Sequence, residues 1–305
     1  VKRKLVAGVM IGLAVLLLAA VAVLQPRDGL KSVGGEGVIG VINISGTIVS
    51  GPSASGLFDT VTGADDIMAQ LRSAAADQSV KAVVLRMNTP GGTSAASQEI
   101  ALEVDRLRQA GKKVVVSMGD VTASGGYWIA SRCDRIVANP GSLTGSIGVI
   151  METTDTQGLY EKIGLSATVF KSGAHKDMGS STRDVTPDER VIFQGLVDDI
   201  YRQFVDTVAQ GRKMERGQVL KLADGRVFTG SQAQKNGLVD ELGDYYDAVA
   251  VASRLAGLGK DPTVIDLTPK HPFWETVTGV NLPGGIGSSA ASRPAVWLLY
   301  APAAG

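Results

Sequence analysis

The sequence predicts an α/β domain built on a largely parallel sheet. Three observations carry that reading. Strand-like and helix-like segments alternate from Val38 onward. The apolar content, 44% of 305 residues, is enough for a substantial core. Two glycine-rich breaks, Pro90-Gly91-Gly92 and Ser124-Gly125-Gly126, follow apolar runs, so they fall near strand carboxyl ends, where open α/β sheets carry their sites.

The elements follow in order. Residues 38–49 (VIGVINISGTIV) are apolar and β-branched, with Gly46 as a turn. Ala64–Ala76 sets Ile67, Met68 and Leu71 at helical spacing. Residues 81–87 read as a buried strand, cut short by Asn88-Thr89-Pro90-Gly91-Gly92. Ser94–Gln109 carries an apolar face of Ile100, Leu102, Val104 and Leu107. Residues 113–118 form the next strand, and VTASGGYWIASRCD (121–134) then enters a helix in which Tyr127 and Trp128 pack the core. Short strands are expected at Arg135–Ala138, 146–150 and 167–170. A long amphipathic helix over 187–211 is opened by Thr186-Pro187-Asp188-Glu189, an N-cap followed by proline and acids.

Lysine plus arginine equals aspartate plus glutamate at 30 each, so the basic excess of a nucleic-acid binder is missing. The single cysteine, Cys133, lies in a helical pattern and reads as a buried structural thiol. Lys2, Arg3 and Lys4 precede an apolar run over 5–24. As a helix that run spans roughly 30 Å, enough to cross a bilayer. It reads as a transmembrane anchor with residues 1–4 cytoplasmic and the remainder across the membrane. The rival is a cleaved signal with a small-x-small site at Ala20-Val21-Ala22. Residues 25–37 form a linker, 38–270 the folded domain and 271–305 a flexible tail rich in Gly and Ser, with an apolar end.

Gly35-x-Gly37-x-x-Gly40 precedes a strand, the wrong context for a dinucleotide. Neither a G-x-S-x-G elbow nor a GxxxxGK[ST] phosphate loop occurs. Ser124 is either a helix cap or a nucleophile exposed by its glycines. A nucleophilic serine needs a base. With only His175 and His271 available, a Ser-His arrangement competes with a lysine base from Lys171 or Lys176, a known variant of the triad. Asp177 and His175 are expected to face solvent, and Ser142 and Thr144 to be turn residues.

Four stretches in series resemble the signal peptide peptidase A family: PGG at 90–92, ASGGYWIAS at 123–131, GSLTGSIGV at 141–149 and SGAHKDMGS at 172–180. The late stretch GRVFTGSQAQKNGLVDELG at 225–243 extends the likeness, which covers about residues 38–255. It implies a ClpP/crotonase-like fold and a membrane-anchored serine protease of the short, single-core form. By position, Ser124 is the nucleophile, Lys176 the general base and Ser146 the residue that orients the lysine. The backbone N–H groups of Gly91 and Gly125 form the oxyanion hole. The resemblance further implies no cofactor and no metal. Its substrates are peptides, remnant signal peptides above all. It implies a homo-oligomer, ring or dome, on the bacterial cell membrane with the protease domain extracytoplasmic. The rivals are a catalytically silent membrane scaffold and a crotonase-type acyl-CoA enzyme.

Overall fold

Near-continuous burial of three adjacent strands, with successive side chains on opposite faces, sets the architecture. The computed structural model describes residues 37–55, 60–268 and 297–299. Its strands are β1 (Val38–Ser45), β2 (Thr47–Val49), β3 (Ala54–Ser55), β4 (Thr60–Gly63), β5 (Val80–Thr89), β6 (Gly91–Thr93) and β7 (Lys113–Ala123). There follow β8 (Arg135–Ala138), β9 (Leu143–Gly145), β10 (Val227–Thr229), β11 (Glu241–Leu242), β12 (Thr263–Asp266) and β13 (Trp297–Leu299). The helices are α1 (Ala64–Ala76), α2 (Ser94–Gln109), α3 (Gly125–Ala130), α4 (Gln157–Lys162), α5 (Pro187–Arg212), α6 (Arg216–Leu220), α7 (Gly230–Lys235) and α8 (Tyr245–Ala256).

The main sheet runs β10-β9-β7-β5-β1-β12, with β8 also on β7 and β11 on β8. Every pair is parallel except β9 with β10. Ile39, Val41, Ala82, Val84 and Val115 pack under α8, while Ile42, Ile44, Val83, Leu85, Val114 and Val116 join the core beneath α1, α2, α3 and α5. A parallel sheet covered on both faces is what the near-continuous apolar runs require. A second, smaller sheet runs β13-β6-β2-β4-β3.

β7 organises the site. Its first half pairs with β8 through Val115–Met118 and its last residues, Val121–Ala123, pair with β9. The strand therefore runs five residues past the expected end at 118, because two successive short partners satisfy its backbone. Two further expectations fail. The strand sought at 146–150 lies instead at Leu143–Gly145, so Ser146 follows a strand and does not open one. Residues 167–170 form no strand: the apolar run has no pairing partner, and Phe170 is 95% exposed. The long helix forms as its sequence signal demands. The Thr186 hydroxyl accepts from the Glu189 N–H, and the Glu189 side chain accepts from the Thr186 N–H.

The anchor over 5–24, the linker to 36 and the tail apart from Trp297–Leu299 fall outside the described residues, as does His271. Among the described residues no helix is long and apolar enough to cross a membrane.

Candidate active site

Parallel pairing brings two serines side by side. Ala123 at the end of β7 is the register partner of Gly145 at the end of β9. One step further along each strand stand Ser124 and Ser146. The Ser124 N–H donates to the Gly145 carbonyl at 2.8 Å, which ties the two turns together. The Ser146 N–H donates to the Arg226 carbonyl, also at 2.8 Å.

Both serines have left-handed backbones, with φ 52° at Ser124 and 50° at Ser146. A non-glycine residue there is uncommon, and such strain persists only where the surroundings impose it. The surroundings do so here, since Ser124 is 1% and Ser146 6% exposed. Ser124 occupies the N-cap position of α3 but its side chain makes no capping bond. The cap reading of this serine is thereby excluded. The hydroxyl stands on a sharp strand-to-helix turn, as in a nucleophile elbow, although the G-x-S-x-G motif is missing.

Glycines let the neighbouring turns close in. A Cβ on Gly126 would lie 2.7 Å from Thr89 Cγ2, and one on Gly92 would lie 1.8 Å from the Ile48 carbonyl oxygen. α3 accordingly packs against β6, placing Gly91 and Gly125 on adjoining elements. The Gly125 N–H, at the first position of α3, has no acceptor among the described residues. The Gly91 N–H donates to Thr89 Oγ1 at 3.0 Å, and Gly91 has φ 108°. Thr89 is fully buried, and its only signal in the sequence is its place beside PGG. Along β6, Trp297–Leu299 pairs antiparallel, with Leu299 opposite Gly91.

A cleft of about 500 Å³ opens beside Ser146, lined by Gly148, Val149, Ile150, Tyr201 and Gly225 among others. The residues below the site are packing groups. Tyr127 donates to the Leu238 carbonyl at 2.8 Å, and Trp128 stacks on Phe204 with ring centroids 4.7 Å apart. Cys133 is buried, and burial pushes its thiol far above the ordinary range, so it is no nucleophile. Thr144, the middle residue of β9, and Ser142, just before it, are buried donors to the Thr122 and Gly119 carbonyls, and not free turn residues.

The lysines lie elsewhere, on the excursion between β9 and α5. Lys171 Nζ is engaged, donating to Asp177 Oδ1 at 2.6 Å and to the Ala174 carbonyl at 3.0 Å. Lys176 and His175 are exposed, and the Lys176 side chain makes no hydrogen bond among the described residues. Asp177 departs from the solvent-facing expectation. Its side chain is 13% exposed and bound by Arg183 and Lys171, which together hold its carboxyl far below the usual range. The fold thus brings together Ser124, Ser146, Gly125 and Gly91, while no hydrogen bond joins Lys176 to them within the chain. No metal-binding cluster of His, Cys, Asp or Glu occurs among the described residues.

Residues 106–259 match the pattern of peptidase family S49. A Synechocystis sp. protein named as a protease is 46% identical over 199 residues, covering 65% of this chain and 72% of that one. Protease 4 of Salmonella typhi is 40% identical over 239 residues, 76% of this chain but 38% of its own length. An Enterococcus faecium protein named for signal peptide peptidase SppA is 39% identical over 201 residues, 66% of this chain and 58% of that one. The chain therefore spans less than two-thirds of the latter two relatives.

Proposed function

This chain belongs to peptidase family S49 as a single-core serine protease of the signal peptide peptidase A kind, and from that premise we propose that it cleaves peptides with a Ser124–Lys176 dyad. The observation that carries the reading is the pair of strained serines at adjoining strand ends. Uncharged Lys176 takes the proton of Ser124 Oγ as the oxygen attacks the peptide carbonyl. The oxyanion is met by the N–H of Gly125 and by that of Gly91, which exchanges Thr89 Oγ1 for the substrate oxygen. The Lys176 ammonium gives its proton to the departing amine, and Ser146 orients the lysine. Water, deprotonated by the same amine, then releases the acid and restores Ser124. No cofactor enters these steps.

In this reading the fold is of the ClpP/crotonase-like kind and the protein is a homo-oligomer, ring or dome. The support is the excursion carrying Lys176, which leaves Leu159, Ile163, Leu165, Val169 and Phe170 exposed. Covered by the next copy, that face would carry the base toward a neighbouring Ser124. The apolar run over 5–24 anchors the chain in the bacterial cell membrane, close to remnant signal peptides. Such substrates lie extended along β6 by strand addition, on the line now taken by Trp297–Leu299.

A fluorophosphonate probe labels Ser124 in the full chain and fails on Ser124→Ala. Both Ser124→Ala and Lys176→Ala lose at least about 10³-fold in peptide hydrolysis. Absence of labelling in the parent chain would favour the silent scaffold. If the tail occupies the substrate line along β6 as a pseudo-substrate, truncation after Ser292 raises the hydrolysis rate, and an unchanged or lower rate removes that role for the tail.

A further inference from the structure

Arg183 stands between the loop carrying Lys176 and the start of α5, and all five of its guanidinium N–H groups are spent. Nε donates to Asp177 Oδ2 at 3.1 Å. Nη1 donates to the Asp184 carbonyl at 2.9 Å and to Glu189 Oε2 at 3.0 Å. Nη2 donates to the Asp177 carbonyl at 3.0 Å and to Glu189 Oε1 at 2.5 Å. The far end of this chain is fixed, because the Glu189 side chain is 2% exposed and also accepts the Thr186 N–H of the capping box. The near end holds both the carboxylate and the main-chain carbonyl of Asp177, the residue directly after Lys176.

Two consequences reach Lys176. Its backbone is pinned to a long helix that packs into the core through Phe204, Val205 and Val208. In addition, the Asp177 carboxylate is turned toward Lys171 and Arg183 instead of the lysine beside it. We propose that Arg183 is the positioning residue of the general base, fixing the Lys176 loop on α5 and keeping the Asp177 carboxylate off the Lys176 amine. The inference rests on Lys176 being the base. Without Arg183 the main-chain anchor is lost and only the water-exposed Lys171 pair holds that carboxylate; turned onto the Lys176 amine it would hold the amine protonated, and an ammonium cannot take the serine proton. The other charged or titratable groups in play are Lys171 and His175 on the loop, Asp184 beyond it, and Asp188, Glu189 and Arg190 at the start of α5.

The test is steady-state hydrolysis of an internally quenched peptide by the full chain across pH. Arg183→Gln lowers kcat about tenfold or more, with KM within about twofold of the parent. It also moves the acid limb of the kcat profile about one unit to higher pH. Adding Asp177→Asn to that variant brings the acid limb back, which a merely structural role would not do. Should Arg183→Gln not fold, Arg183→Lys keeps the charge and loses the fork. There a kcat loss at constant KM supports the proposal, and parent-like kinetics overturn it. An acid limb that stays in place in Arg183→Gln, or stays shifted in the double variant, overturns it as well. Lys176→Ala, measured alongside, separates the two readings. If that variant remains active, the base assignment falls and takes the inference with it. If it is dead while Arg183→Gln behaves as the parent, only the inference falls.

Discussion

The strand ends that carry Ser124 and Ser146 are held by backbone pairing and apolar burial, whereas residues 151–186, which carry Lys176, are held by ion pairs and expose most of their side chains. The first region tolerates two left-handed serines, each a strain of about 1–3 kcal/mol, because the core around them leaves no alternative. In the second region, α4 buries none of its residues. A nucleophile gains from rigidity, since its oxygen must already face the oxyanion donors. A base on an adaptable arm gains from being seated by something else, whether Arg183 within the chain or a neighbouring copy. The difference teaches that one site can combine a part fixed by packing with a part fixed by charge, and each should fail under a different insult.

The largest blow to the packed side is Gly92→Ala. The added methyl would sit 1.8 Å from the Ile48 carbonyl oxygen, and backbone on both sides must move to admit it. Overpacking of that kind costs about 3 kcal/mol, a fall in Tm on the order of 10 °C for a domain of this size. Thermal denaturation measures it. A Tm within about 2 °C of the parent would mean that β2 and β6 are looser than their pairing indicates.

The same contrast explains what could be read from sequence. The packed side was largely legible. Apolar runs over 38–49, 81–87 and 113–118 report buried parallel strands, and the glycines at 91–92 and 125–126 mark their ends. What the sequence could not supply was pairing, which is non-local. Leu143–Gly145 is too short to announce itself, so the sequence suggests a strand that opens at Ser146 and hides the register with Ser124. Residues 167–170 have strand-like composition and no partner, so they remain exposed. On the charged side, the Thr186–Glu189 cap was legible as a local signal. Arg183 was not, because its importance depends on the burial of Glu189 and on Asp177 turning inward.

Acid should undo the arm and spare the sheet. Arg183, through its hydrogen bonds, holds the Glu189 carboxyl at about 2 against an ordinary 4.5, and holds Asp177 lower still. A carboxyl depressed by folding stabilises the folded form above its unfolded value, and that contribution fades as pH falls toward the folded one. The stability that these ion pairs give the arm is thus full above about pH 4.5 and lost progressively toward pH 2. Limited pepsin digestion should nick residues 151–186 increasingly over that window while β5 and β7 stay protected. Cleavage that appears in both regions together would show that the arm and the sheet unfold as one unit.

Lys171→Ala gives the finest cut, because it separates two lysines of one loop. Lys171 donates to Asp177 and to the Ala174 carbonyl, and its side chain is 35% exposed. A pair so open to water contributes at most about 1 kcal/mol. Asp177 also retains Arg183 after the substitution, so its carboxylate stays where it was. Hydrolysis by Lys171→Ala should therefore stay within about threefold of the parent and Tm within about 3 °C. Loss of activity as complete as that of Lys176→Ala would move the base to Lys171. Asp177 would then be the partner of the base, and Arg183 would act by competing for that carboxylate instead of guarding its neighbour.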